Sequence, residues 1–355
     1  MSLSLAIDQP AAGVRFEAMD RPGALEWAAA AQRRLGFRAL QVINVAALRY
    51  GVRLKETDEA AYWRFLAHRR RLHQRLDRSI AGDVALSQSV QVSPSVQIEA
   101  VRTAGPHAGL PSPPVPSDWF APVKGEPRGF VFYVHGGSFI AERSPRITGL
   151  VARFAAAAGA RVFAPNYRLA PEHPCPAAVE DIVAAFHWFR RTWPGEPVVA
   201  LAESAGAAIL LAALHQVKAG GGALPDAVVL LSPWADLSLQ SWSVIAASLA
   251  GTTPYTMECL AVMAHLYLQG RPATDPIASP LFGDFTGWPP MLIHASKGDI
   301  LYDDAVRLAD KVREAGGDLT VRLWAAETHV WERMLTAKAR QSIELAAGFM
   351  RRHLN

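Results

Sequence analysis

Between positions 130 and 294 the chain carries five short, mostly apolar runs, at 130–134, 161–164, 198–202, 227–231 and 291–294, with Arg161 and His294 the polar residues at their ends. A strand covered on both faces reads as such a run, whereas a half-exposed strand alternates. Residues 90–101 alternate, with Val92, Val96, Ile98 and Ala100 on one side, and 319–324 is a further strand candidate. A proline-rich loop at 105–116 separates residues 90–101 from the first buried run. Segments at 146–158, 176–193, 205–218, 303–315 and 336–353 have helical spacing and lie between the strands. Strands alternating with helices predict an α/β fold: a mostly parallel central sheet with helices on both faces.

Two stretches depart from that rhythm. Residues 22–80 read mostly as helix. Tyr62, Phe65, Leu66, Leu72, Leu76 and Ile80 recur at helical spacing, and Arg64, Arg69, Arg70, Arg71, Arg75 and Arg78 lie opposite. Residues 236–274 are helix-like, rich in Trp, Leu and Met, and interrupt the core between two strands. Together these stretches predict a helical cap. The expected organisation is an N-terminal cap region at 1–85, core at 86–235, a cap insertion at 236–274 and core again at 275–355.

Composition narrows the function classes. Half of the 355 residues are apolar and 19% are charged, which is enough for a large core. The net charge is +4, and residues 1–90 hold 14 Lys and Arg against 9 Asp and Glu. The remainder is close to neutral, so no nucleic-acid partner is expected. The basic face of 22–80 has no interleaved aromatics for base stacking and reads as a solvated surface. Two cysteines, Cys175 and Cys259, make no disulfide framework and point to a reducing, cytoplasmic setting. The first residues lack the pattern of a signal peptide, and no apolar run is long enough to span a membrane.

Four strand-end motifs carry chemistry. The first is Ala202-Glu203-Ser204-Ala205-Gly206, where a buried strand runs into a serine and then an alanine-rich helix. That context suits a nucleophile presented on a sharp turn; a plain helix N-cap is the alternative. The second is His135-Gly136-Gly137-Ser138-Phe139. Its glycines can aim backbone amides at a developing oxyanion, or simply make a tight turn. The expected donors are Gly136, Gly137 and Ala205. The third is Asp299 after the 291–294 run, an acid able to orient a histidine. Asp303 and Asp304 are rivals better suited to opening the next helix, toward the positive end of its dipole. The fourth is His329, in a loop after 319–324, as general base. His294, within a strand-like run, reads as packing. Ser204, Asp299 and His329 follow one another in the order Ser, Asp, His, each after a strand, with the glycine pair upstream. Phe139 and Trp242 are candidate substrate-binding residues, and Trp234 reads as core.

Over roughly 90–350 the chain resembles the hormone-sensitive-lipase-like carboxylesterases, bacterial family IV. The run from Asn166 to Asp181, N-Y-R-L-A-P-E-H-P-C-P-A-A-V-E-D, is similar to that family's YRLAPEHPFPAALED block almost residue for residue. His135-Gly136-Gly137 resembles its HGGG motif, Ser204-Ala205-Gly206 its GDSAGG motif, and Asp299 and Asp303 the acids of its D-x-L-x-D segment. His329 matches the histidine of its H-G-F segment. Ala202, Glu203, Ala207, Ser138 and Val330 depart from the pattern without removing a triad member. The resemblance implies an α/β-hydrolase fold with a helical cap, cleavage of short-to-medium acyl esters, and a small-molecule ester as partner. It implies no metal and no cofactor. A homodimer is the one protein assembly considered. A receptor on the same fold, and an amide or thioester hydrolase, are the alternatives.

Overall fold

A computed structural model of the chain describes residues 13–19, 96–101, 114–122, 125–250, 253, 255–325 and 327–355. Among the described residues nine strands form one sheet: β1 (Val14–Ala18), β2 (Val96–Val101), β3 (Ser117–Pro122), β4 (Phe130–Val134), β5 (Arg161–Pro165), β6 (Val198–Glu203), β7 (Ala227–Leu231), β8 (Met291–Ser296) and β9 (Leu319–Trp324). Their order across the sheet is β1-β9-β8-β7-β6-β4-β5-β3-β2. Only the β2–β3 and β3–β5 pairs are antiparallel. The fold class expected from the sequence is therefore present.

The continuous apolar runs have a direct cause. On β4, Phe130, Phe132 and Val134 enter one core layer, while Val131 and Tyr133 enter the other. The first layer packs against helices α2 (Ala177–Thr192), α3 (Ala205–Ala219) and α6 (Tyr302–Glu314). The second packs against α1 (Pro145–Ala158) and α7 (Ala337–His353). With both faces covered, neither side-chain register can be polar, and period-2 alternation disappears. The helices begin and end where local chemistry allows. In α1, Ser144 caps the Ile147 amide, Pro145 opens the first turn, and Gly159 closes the helix at φ 63°.

Two strands were not foreseen. β1 falls inside the stretch expected to be helical cap, and it pairs in parallel with β9 at the edge of the sheet. Four of its five residues are not buried, so it carries no burial pattern. The core therefore draws on residues before 86. β3 follows the proline-rich segment, and its mixed burial keeps it from standing out. The predicted helix at 22–80 lies outside the described residues.

Within 236–274 the described residues form α4 (Trp242–Ala250) and α5 (Met257–Leu268). The base of this insertion is tied to α6. Asp304 Oδ2 accepts from the Ala235 and Asp236 amides at 2.8 and 3.0 Å, and its Oδ1 accepts from the Ser241 hydroxyl at 2.9 Å. Asp303 accepts from the Ser243 amide at 2.8 Å, and Arg307 pairs with Asp236 at 2.6 Å. Burial raises the Asp304 carboxyl to about 7, against the opposing pull of its donors. The folded protein thus holds this proton more tightly than the unfolded chain does. Stability drains away as pH rises from the unfolded carboxyl range toward the folded value. Urea unfolding at about pH 5 and about pH 8 should show wild type losing more stability than Asp304→Asn over that interval. Equal losses in the two proteins would contradict the assignment.

Candidate active site

The turn after β6 lies at the C-terminal edge of the sheet. Ser204 sits at φ 53° and ψ −130°, and its side chain makes no capping bond to α3. This backbone is one that side-chain-bearing residues rarely adopt, and it separates the nucleophile reading from the N-cap reading. The Ser204 amide bonds the Leu231 carbonyl at 3.0 Å, and its carbonyl accepts from the Ala207 and Trp234 amides. Gly206 is required by proximity: a Cβ there would run into the Val134 and His135 carbonyl oxygens. Ala202 and Ala207, where the resembled family has glycine, are both fully buried and take their methyls into the core.

The structure brings together the three residues that the sequence singled out. Ser204 Oγ lies 2.8 Å from His329 Nε2. His329 Nδ1 lies 3.1 and 3.0 Å from the two oxygens of Asp299. A carboxylate only accepts, so Nδ1 carries the proton and Nε2 is left to accept from the serine hydroxyl. Burial pushes the Asp299 carboxyl up, but the His329 charge and hydrogen bonds from His329, Ser232 and the Leu301 amide outweigh it. The net shift is downward, and Asp299 stays ionised. Asp303 and Asp304 face the insertion, as described above. His294 is fully buried against Ser342, 2.7 Å from its hydroxyl, and does not reach the site.

The glycine-rich loop requires a correction. The Gly136 amide donates to Glu203 Oε1 at 2.9 Å, so it does not point at substrate. The Gly137, Ser138 and Ala205 amides have no partner among the described residues. Gly137, Ser138 and Phe139 follow one another at φ 130°, 55° and 66°. The amides left free in this loop thus lie one residue further along. His135 stacks on Tyr167 at 4.3 Å, and burial holds its imidazole below the usual range, so it shapes the loop as a neutral ring.

The two candidate substrate residues lie in different surroundings. Phe139 is 1% exposed, stacked on Tyr267 at 4.1 Å and tilted against Trp234 at 5.2 Å. It fastens the loop to α5. Trp242 opens α4 with 69% of its surface exposed. Trp234 is buried, as expected.

Sequence reasoning also missed supporting residues. The amide of Val330, next to His329, donates to Ser232 Oγ at 3.2 Å, and Ser232 in turn bonds Asp299. Ser232 directly follows β7, a strand-end position that was a usable signal. Tyr255, in the turn before α5, sets its ring edge-on to His329 at 5.7 Å. No local pattern marks such a contact, because it joins residues far apart in sequence.

A serine–histidine–carboxylate chain at the C-terminal edge of a mostly parallel sheet defines a class of acyl-transfer proteins. The profile of a family described as "alpha/beta hydrolase fold" matches residues 131–333, and the chain belongs to that family. It is similar to an acetyl-hydrolase of Streptomyces hygroscopicus, 37% identical over 238 residues, which span 66% of this chain and 79% of that protein. It is also similar to an esterase of Acinetobacter venetianus, 27% identical over 248 residues, 67% of this chain and 75% of that one. Among solved structures, an esterase from the bacterial hormone-sensitive lipase family superposes with a TM-score of 0.71 at 27% identity. That match covers 89% of this chain and 99% of the other. The resemblance read from the Asn166–Asp181 block and the strand-end motifs is borne out.

Proposed function

We propose that this protein is a serine carboxylesterase acting on small esters of short-to-medium acyl chains. The observation that carries the reading is the unbroken chain Ser204–His329–Asp299, with bonds of 2.8 and 3.0 Å. The names of the relatives support the choice of an ester bond. His329 Nε2 takes the Ser204 proton as Oγ attacks the ester carbonyl. The Gly137, Ser138 and Ala205 amides receive the oxyanion. Asp299 keeps His329 in the required tautomer and stabilises its cationic form. His329 then protonates the departing alcohol, and water releases the acyl group by the same path. An intact triad favours an enzyme over a receptor that only keeps the pocket. A cytoplasmic setting belongs to the same proposal, supported by two free, buried cysteines. Among the described residues, no helix is long and apolar enough to cross a membrane.

The test is turnover of p-nitrophenyl acetate, butyrate and decanoate beside an amide and a thioester with the same butyryl group. The expected order is acetate and butyrate above decanoate, with the amide slowest. Faster thioester or amide turnover would reassign the bond, and silence on every ester would sink the esterase reading.

A further inference from the structure

Glu203, the last residue of β6, is fully buried beside the nucleophile. Its Oε1 accepts from the Tyr133 hydroxyl at 3.0 Å and from the Gly136 amide at 2.9 Å. Its Oε2 pairs with the Arg333 guanidinium. These partners belong to different parts of the site. Tyr133 is on β4, Gly136 is in the loop that presents the free amides, and Arg333 lies four residues beyond His329. Arg153 of α1 clamps the same stretch, donating to the Glu332 and Met334 carbonyls at 2.6 and 2.9 Å. Glu203 and Gly136 are also fitted to each other: a Cβ on Gly136 would come within 2.9 Å of Glu203 Oε2.

We propose that Glu203 is a positioning residue, holding the oxyanion-side loop and the His329 loop in register around Ser204. This rests on the esterase reading. A buried ion pair stabilises a fold little better than apolar side chains of similar size, so its use here is geometric. By taking up the Gly136 amide, the carboxylate fixes the loop and leaves the next amides as donors. Burial and the neighbouring Glu203 charge raise the Tyr133 hydroxyl well above its ordinary range, so it stays a donor. Both bonds must be in place together, because one carboxylate serves both loops.

Glu203→Gln keeps size but turns a donor toward either Arg333 or Gly136. A misplacement of about 1 Å near reacting atoms costs on the order of a hundredfold in rate. We therefore expect kcat on p-nitrophenyl butyrate to fall about ten- to a hundredfold with KM nearly unchanged. Affinity for a trifluoromethyl ketone, which builds an oxyanion on Ser204, should weaken in parallel. Hydrogen exchange at residues 134–138, read by mass spectrometry, should quicken. Glu203→Gln combined with Arg333→Met removes both charges of the pair together, so the double variant should lose less than the product of the two single losses. If Glu203→Gln fails to fold, Glu203→Asp carries the same readouts. Unchanged kcat, unchanged exchange, or a double variant as poor as the product of the singles overturns the proposal. If wild type turns over no ester, the esterase reading falls, and hydrogen exchange alone decides the role of Glu203.

Discussion

Ser204→Ala is expected to lower kcat on p-nitrophenyl butyrate by about five orders of magnitude, with the melting temperature nearly unchanged. Among the described residues, the Ser204 hydroxyl is the nucleophile placed to attack. Oγ sits 2.8 Å from the base at a backbone geometry that turns it out of the helix. Removing it leaves no bond for His329 to polarise. What survives is whatever the free amides and the pocket supply, roughly a thousandfold over water in comparable sites. Because nucleophile and base act as one unit, adding His329→Ala to Ser204→Ala should cost almost nothing more. Steady-state kinetics with active-site titration measure both. Turnover surviving Ser204→Ala would remove the nucleophile assignment, and additive losses in the double variant would remove the coupling of the pair.

Asp299→Asn should follow, with a loss of about ten thousandfold in kcat and a preserved fold. The asparagine amide can donate toward His329 Nδ1, which selects the tautomer with its proton on Nε2. That ring cannot accept from Ser204. Asp299 is 1% exposed and bonded by Ser232 and the Leu301 amide, so the side chain cannot swing to another partner. The defect should ease as pH rises and hydroxide competes for the serine proton. A rate within about tenfold of wild type would assign the orienting role elsewhere.

The sequence told much about the centre of this protein and little about its margins. Buried strands announce themselves by lacking polar positions, which is why β4 and β7 were legible to the residue. β1 and β3 lie toward the edges, where exposure blurs the pattern. The triad was legible because its members each follow a strand in a fixed order. The donor loop was legible only in part. Two adjacent glycines look equivalent in sequence, and only the position of Glu203 shows that the Gly136 amide is already taken. Phe139 was ambiguous for a related reason. An aromatic side chain serves a pocket or a core equally well, and tertiary packing decides which.

Ser138, Phe139, Ser204, Ser232 and Val330 all lie at positive φ, and all border the triad or its loops. Each such residue costs on the order of 1 kcal/mol or more, and Val330, branched at Cβ, is the hardest to accommodate. Among the described residues, backbone strain is therefore concentrated at this rim, held by the packed sheet beneath it. Substitutions that would make an ordinary surface loop more heat-resistant should act against turnover at these five positions. Gains in thermal tolerance are to be sought in the helices and surface away from this rim, where local conformation and catalysis make no competing demands.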